Sequence, residues 1–325
     1  MELRKLQRTG GGTFLVSLPK SWAEKNGLAR GSLVAVSERM NGCLVVDPKY
    51  GLEPEPQKAV IAPTPYLVHE IIGKYLLGYD IIRVEAKGRI SPEEREHIKQ
   101  RTSRLIGLEI VEEDHSKIVM QCLLEPSSFP PEKILRREYS IAHGMHRDAV
   151  TALIESDVSL AKNVIARDEE VDRLYFLLVR ILRTVIQNPH LSEKLQILPI
   201  DCLDYRLAAS LIESIGDQST QIAENVIRLG GVKPTKDLSQ LLLNFSQIAY
   251  EAHENALTAL LSRDLSLAET IRAKRETAAS IFHNIEAIVH TQPVKFAPYI
   301  LAASAISRIY DHSVDIADLG MPRPV

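Results

Sequence analysis

Two stretches decide the fold: DAVTALIESDVSLAKNVIARDE at 148–169 and NALTALLSRDLSLAETIRAKRE at 255–276 align without a gap and share ten of 22 positions. Farther on, LAASLIESIGDQSTQIA at 207–223 aligns with LAASAISRIYDHSVDIA at 301–317, ten of 17 being identical. Self-similarity over this length means two copies of one supersecondary unit. Breaks recur at matching places: Asp157 and Asp264 read as helix caps, and Pro189 and Pro199 punctuate the connection in one copy as Pro293 and Pro298 do in the other. Each copy therefore predicts three helices, at 132–156, 158–188 and 200–229, then 236–263, 265–291 and 296–319. Ala208, Ala209 and Ser210, matched by Ala302, Ala303 and Ser304, let the helices of an antiparallel bundle approach closely.

Carboxylates on these helices carry the chemistry. Asp168 and Asp172 lie four apart, as do Glu213 and Asp217, so each pair occupies one helical face. Like charges at that spacing oppose helix formation, and two such pairs on adjacent helices call for good solvation or a cation. Four hard oxygen donors suit Mg, Mn or Fe and accommodate Zn less specifically. The plainer reading is a wet helix surface, but two coincident pairs weigh against it. So does Gly216, which costs about 1 kcal/mol in a helix and leaves that face open. In the second copy Arg275, Ala279 and Ser307 replace Asp168, Asp172 and Glu213, leaving Glu276, Asp311 and His312, with Glu169 of the first copy, as weaker candidates. His143 and His146 lie three apart, with His253 equivalent to His146. Packed or solvated imidazoles are their plainer reading and a ligand role the sharper one.

Upstream of the repeat, GLEPEPQKAVIAPTP at 51–65 holds four prolines and reads as an extended linker. Beyond it a helix over 66–78, a strand over 80–86, a helix capped by Ser91 and running to about Ile106, and the strands LEIVEE and KIVMQCL predict a small α/β module. Glu94 and His97, three apart without companion ligands, read as a solvated helix face.

The 325 residues, 45% apolar and 25% charged, exceed one ordinary core, so several units are expected: 1–48, 58–125, 132–230 and 235–320. No stretch approaches the roughly 18 apolar residues of a membrane helix, and MELRKLQRTGGG has no signal-peptide core, which predicts a cytoplasmic protein without membrane insertion. Cys43, Cys122 and Cys202 are too few and too scattered for a disulfide framework or thiolate zinc site. The net charge of −3 hides an uneven distribution, because residues 1–47 carry seven Lys or Arg against four Asp or Glu. This head predicts a strand in TFLVSL, a short helix from Lys20 to Gly27, and a hairpin of SLVAVS and CLVVD turning at Asn41-Gly42. So small a unit leaves strand edges that need a partner, which predicts a homodimer. Its basic residues Arg4, Lys5, Arg8 and Lys20 predict nucleic acid as a partner, against the plainer role of keeping a small surface soluble.

RKLQRTGGGTFLVSLPKSWAEKNGLARGSLVAV at 4–36 resembles the AbrB/SpoVT swapped-hairpin DNA-binding domain, which implies interlaced hairpins of two chains and DNA contacts from Arg4, Lys5 and Arg8. DEEVDRL followed by ESIGDQSTQIAENV, and AKRETAASI followed by SRIYDHSVDIADL, resemble the two three-helix repeats of PhoU proteins over about 135–320. That resemblance implies a metal cluster at Asp168, Asp172, Glu213 and Asp217, and engagement of a phosphate ABC transporter ATPase or a signalling partner. The order of the parts resembles archaeal phosphate uptake regulators. The resulting fold class is multidomain: a β-rich swapped-hairpin head, a small α/β middle module and an all-α body of two three-helix bundles. The function expected from it is a DNA-binding transcriptional regulator of phosphate uptake, and the alternative is a scaffold on the transporter that binds no DNA. A metal-dependent enzyme ranks last, because no Glu-x-x-His pairs stand in the helical body and no Ser/His/Asp or phosphate-loop motif is visible.

Overall fold

The computed structural model describes residues 2–38, 42–48, 56–291 and 293–320. The chain divides into two compact units, 1–56 and 57–325. In the first, β1 (Gln7–Arg8) pairs antiparallel with β2 (Phe14–Leu15), α1 (Lys20–Lys25) follows Pro19, and β3 (Ala35–Glu38) pairs with β4 (Leu44–Asp47), Val36 facing Val46. Gly27 ends α1 at φ +66, a left-handed backbone that glycine adopts without a Cβ clash. Of the expected hairpin turn, Gly42 lies at φ +76 and Asn41 falls outside the described residues. The strand expected across TFLVSL is only two residues long, for β2 has a single neighbour to hold it. No described residue of this unit is buried, and Phe14, Val36 and Leu44 are 62%, 60% and 68% exposed.

The second unit begins with the α/β module: β5 (Lys58–Ile61), α2 (Leu67–Leu76), β6 (Ile81–Glu85), α3 (Pro92–Thr102), β7 (Leu108–Glu113) and β8 (Lys117–Cys122). Its sheet runs in the order β5-β6-β8-β7, with β5 and β6 parallel and the other pairs antiparallel. The 51–65 linker reading needs correction here. KAVI forms β5, and its period-two alternation buries Ala59 and Ile61, while residues 51–55 lie outside the described residues. Ser91 and Glu94 close a capping box at the start of α3, which accounts for Glu94.

After a single 3₁₀ turn (Pro126–Ser128) comes the helical body. Its first copy holds α4 (Pro131–Glu155), α5 (Val158–Gln187), the short α6 (Pro189–Leu195) and α7 (Pro199–Leu229). The second holds α8 (Lys236–Ser262), α9 (Leu265–Arg272), α10 (Arg275–His290) and α11 (Pro293–Asp318). Within the first copy α4, α5 and α7 pack together; α8, α10 and α11 do so in the second, and α7 against α11 and α4 against α8 join the two. One apolar core runs through both copies. Asp157 accepts from the Leu160 amide at 2.9 Å and Asp264 from the Leu267 amide at 3.1 Å, so the repeated caps form alike. The fifth expected helix is interrupted between Arg272 and Arg275, and the Tyr310 hydroxyl donates to the Ile271 carbonyl released there, at 2.8 Å.

Arg180 of α5 fastens the module to the body. Its guanidinium, 2% exposed, donates to the carbonyls of Tyr75 at 2.6 Å, Tyr79 at 2.9 Å and Gly78 at 3.4 Å, and lies 3.5 Å from Asp80. Those carbonyls close the last turn of α2, where the helix leaves acceptors unpaired and a positive charge is favoured. A second link joins Arg104, just beyond α3, to Glu169 of α5 at 3.3 Å. Among the described residues no helix is long and apolar enough to cross a membrane.

Candidate metal centre

The expected carboxylates lie on facing sides of α5 and α7, near enough to shift one another's ionisation. Gly216 permits this approach: a Cβ built on it would stand 3.5 Å from Asp168 Oδ1 and 3.5 Å from Val171 Cγ1. Asp168 and Asp172 face Asp217 across the helix pair, and Glu213 feels Asp217, Asp172 and Asp168 together. Burial, then Asp172 and Asp217, push the Asp168 carboxyl up to about 6. Burial and the same three neighbours push Glu213 up to about 7. Asp172 is raised by burial and Asp217, and Asp217 by burial alone.

A fifth acid was not anticipated. Glu138 of α4 is fully buried, and neither of its carboxyl oxygens has a hydrogen-bond partner among the described residues. Burial holds its carboxyl well above the usual range, Glu213 and Asp172 raise it further, and Arg206 alone opposes them. The signal was periodicity. Ile134, Leu135, Ala142, Met145 and Ala149 form the buried face of α4, and Glu138 falls on that stripe.

Glu169 is exposed and paired with Arg104, and the two act on Asp172 in opposite directions, Arg104 lowering its carboxyl and Glu169 raising it. In the second copy Arg275 lies beside Asp311 and lowers its carboxyl, against the burial that raises it. Tyr310 fills the place of Gly216 and is 2% exposed. An exposed guanidinium and a buried ring thus stand where the first copy carries an aspartate and a glycine. Glu276 is exposed, and His312 is half-buried beside Asp315 and Asp311, so these weaker candidates do not assemble a comparable acidic face.

The donor set of the first copy fits a hard cation in chemistry and charge: clustered oxygens, raised by one another, with an orphaned buried carboxyl at their edge. As the side chains stand, no three His, Cys, Asp or Glu among the described residues are grouped closely enough to hold an ion.

Of the basic residues in the head, Arg4 pairs with Glu2 at 2.5 Å, Lys20 lies 3.7 Å from Glu24, and Arg8 sits over the Phe14 ring at 5.8 Å. Lys5 is exposed. Two of the four are thus offset by acids beside them, which reduces the positive field that drew attention to them.

Known proteins resemble the chain as follows. The PhoU domain model matches residues 135–226 and 242–320. The phosphate-specific transport system accessory protein PhoU homolog of Rhizobium meliloti (strain 1021) is 28% identical over 206 residues, 59% of this chain and 85% of that protein. The homolog of the same name from Aquifex aeolicus (strain VF5) is 28% identical over 167 residues, 50% and 72% of the two chains. The crystal structure of PhoU from Pseudomonas aeruginosa superposes with a TM-score of 0.53 at 20% identity, covering 58% of this chain and 93% of that one, and so shares the fold. These findings overturn the expectation of a DNA-binding transcriptional regulator. The relatives are named as accessory proteins of phosphate transport, and the likeness lies in the helical body rather than in the basic head.

Proposed function

Because the chain belongs to the PhoU domain family, we propose that it is a non-enzymatic accessory protein of a phosphate transport system, a scaffold whose helical body docks on the transporter's ATPase subunit or on a signalling partner. The observation that carries this reading is the match of both helical repeats to the family, joined to the names of its relatives. The body offers a long, rigid surface for such docking, since α4 through α11 share one core. The test is co-expression of the tagged chain with the ATPase subunit of a phosphate transporter from the same organism. Copurification that survives nuclease treatment supports the reading, and free passage of the ATPase through the column at high and low phosphate alike sinks it.

The reading includes a divalent or multinuclear metal, iron, manganese, magnesium or zinc, held by Asp168, Asp172, Glu213 and Asp217 with Glu138 behind them. When bound, such an ion supplies the positive charge that these acids lack. The protein's own residues do the rest: α5 and α7 fix the spacing, Gly216 leaves the face open, and Arg206 tempers the buried edge. The reading also takes the head as a pairing unit for a second copy of the chain, supported by its exposed Phe14, Val36 and Leu44.

A further inference from the structure

A group of imidazoles lies apart from the acids, where α4 packs against α8. His146 and His253 occupy equivalent positions of the two repeats, both are fully buried, and none of their four ring nitrogens has a hydrogen-bond partner among the described residues. His143, one turn before His146, completes the group. Its ring centre lies 4.9 Å from that of His253, edge-on at 87°, while His253 lies 6.1 Å from His146. His143 Nε2 is buried without a partner, and its ring hydrogen-bonds to the Tyr250 backbone. The Tyr250 ring stacks on His143 at 4.2 Å, and Tyr139 meets His253 edge-on at 4.6 Å.

A neutral imidazole always carries one N–H donor and one lone pair, so a buried ring with neither satisfied costs about 1–3 kcal/mol for each unpaired group. An ordinary core would avoid that cost with apolar side chains, yet three such rings gather at one crossing. A divalent ion takes up the lone pairs. With a metal–nitrogen bond of about 2.1 Å the ion sits roughly 3.2 Å from a ring centre, so two imidazoles sharing it have centres about 5–6 Å apart. The 4.9 and 6.1 Å separations of His253 from His143 and His146 lie just to either side of that spacing. As placed, the nitrogens do not meet at one point, in keeping with the lack of any ready-made ligand group among the described residues. Turning the rings about their Cβ–Cγ bonds redirects the nitrogens while leaving the centres nearly in place. The His143 to Tyr250 bond also resembles the outer-shell contact that orients a ligating ring. His143 and Tyr250 are only partly buried, so the group reaches the surface at that edge.

We propose that His143, His146 and His253 form a nitrogen-donor site for zinc or a neighbouring late first-row divalent ion, separate from the carboxylates of α5 and α7. Imidazole suits such ions, whereas the oxygen cluster suits harder ones, so the two sites separate by softness. The test uses the full chain, stripped with chelator and titrated with cobalt(II). Four- or five-coordinate cobalt on imidazoles absorbs strongly in the visible and shifts imidazole N–H proton resonances, and a six-coordinate oxygen site does neither. The double variant Asp172→Asn, Glu213→Gln is expected to keep one cobalt with the band and the shifted resonances. His143→Gln, at a partly exposed position, is expected to weaken that cobalt at least about tenfold with the helical circular dichroism unchanged. His253→Gln should abolish the band, and if it does not fold, the His143→Gln result decides. Absence of the band from the carboxylate double variant, or an unaltered band and affinity in His143→Gln, overturns the site.

Discussion

The carboxyls of Asp168 and Glu213 rise on folding from 3.8 to about 6 and from 4.5 to about 7, so in that window the folded chain binds protons that the unfolded chain has released. The sign follows directly. The stability these groups contribute is fully present below about pH 4 and is lost as pH climbs through their folded values. Chelator-treated protein is therefore expected to melt at lower temperature at pH 7.5 than at pH 5, with Glu213→Gln flattening the dependence and added divalent ion restoring the midpoint at pH 7.5. A metal-free midpoint that rises with pH would remove the acidic cluster from the account. Single residues were legible where spacing alone is informative: the i, i+4 acids and Gly216 could be placed on one face before any coordinates. Glu138 was not, because its meaning comes from three helices enclosing it. The role of Arg275 as a counter-charge to Asp311 likewise depends on a contact between helices.

Among elements, the join between α2 and α5 is the sharpest case of one side chain organising a boundary. Removing the Arg180 fork takes a donor from three carbonyls at the end of a helix, of which that of Tyr75 keeps the Gly78 amide, and leaves a largely buried gap where the guanidinium stood. Arg180→Met is expected to cost roughly 2–4 kcal/mol in urea unfolding and to speed amide exchange in the last turn of α2. An effect below about 0.5 kcal/mol with unchanged exchange would mean that the contact is dispensable. The helices of the body could be bounded within a few residues from the repeat and its caps. The exceptions are instructive. The break after Arg272 is fixed by Tyr310, which is distant in sequence, and β5 hides among prolines because a four-residue strand is defined by its pairing with β6 rather than by its own pattern. Nothing local marked Arg180 as buried, since it follows an apolar run in which a charge would ordinarily lie at the edge.

On the scale of the whole molecule, the head is a fold without a core of its own, and two heads are expected to supply one another's. Val36→Lys should convert a dimer to a monomer in light scattering while leaving the helical circular dichroism intact; a dimer that persists would move the pairing surface elsewhere. The duplication was the most legible feature of all, because identities recur in two gapless blocks, offset by 107 residues in the first (148 to 255) and by 94 in the second (207 to 301). The function drawn from the basic head was the least secure, because the family match lies in the helical body and two of the head's four named cations have acids two and four residues away beside them.

Helix α5 carries Asp168 and Asp172 near its middle and Arg180 two turns later, a separation of about 12 Å along a stiff rod. Its grip on the C-terminal end of a neighbouring helix gives a tilt or slide begun at the acids a direct mechanical path to the α/β module. Were a cation to load the acids, as the proposed function has it, α5 would act as a pushrod between that seat and the flat plate of the sheet.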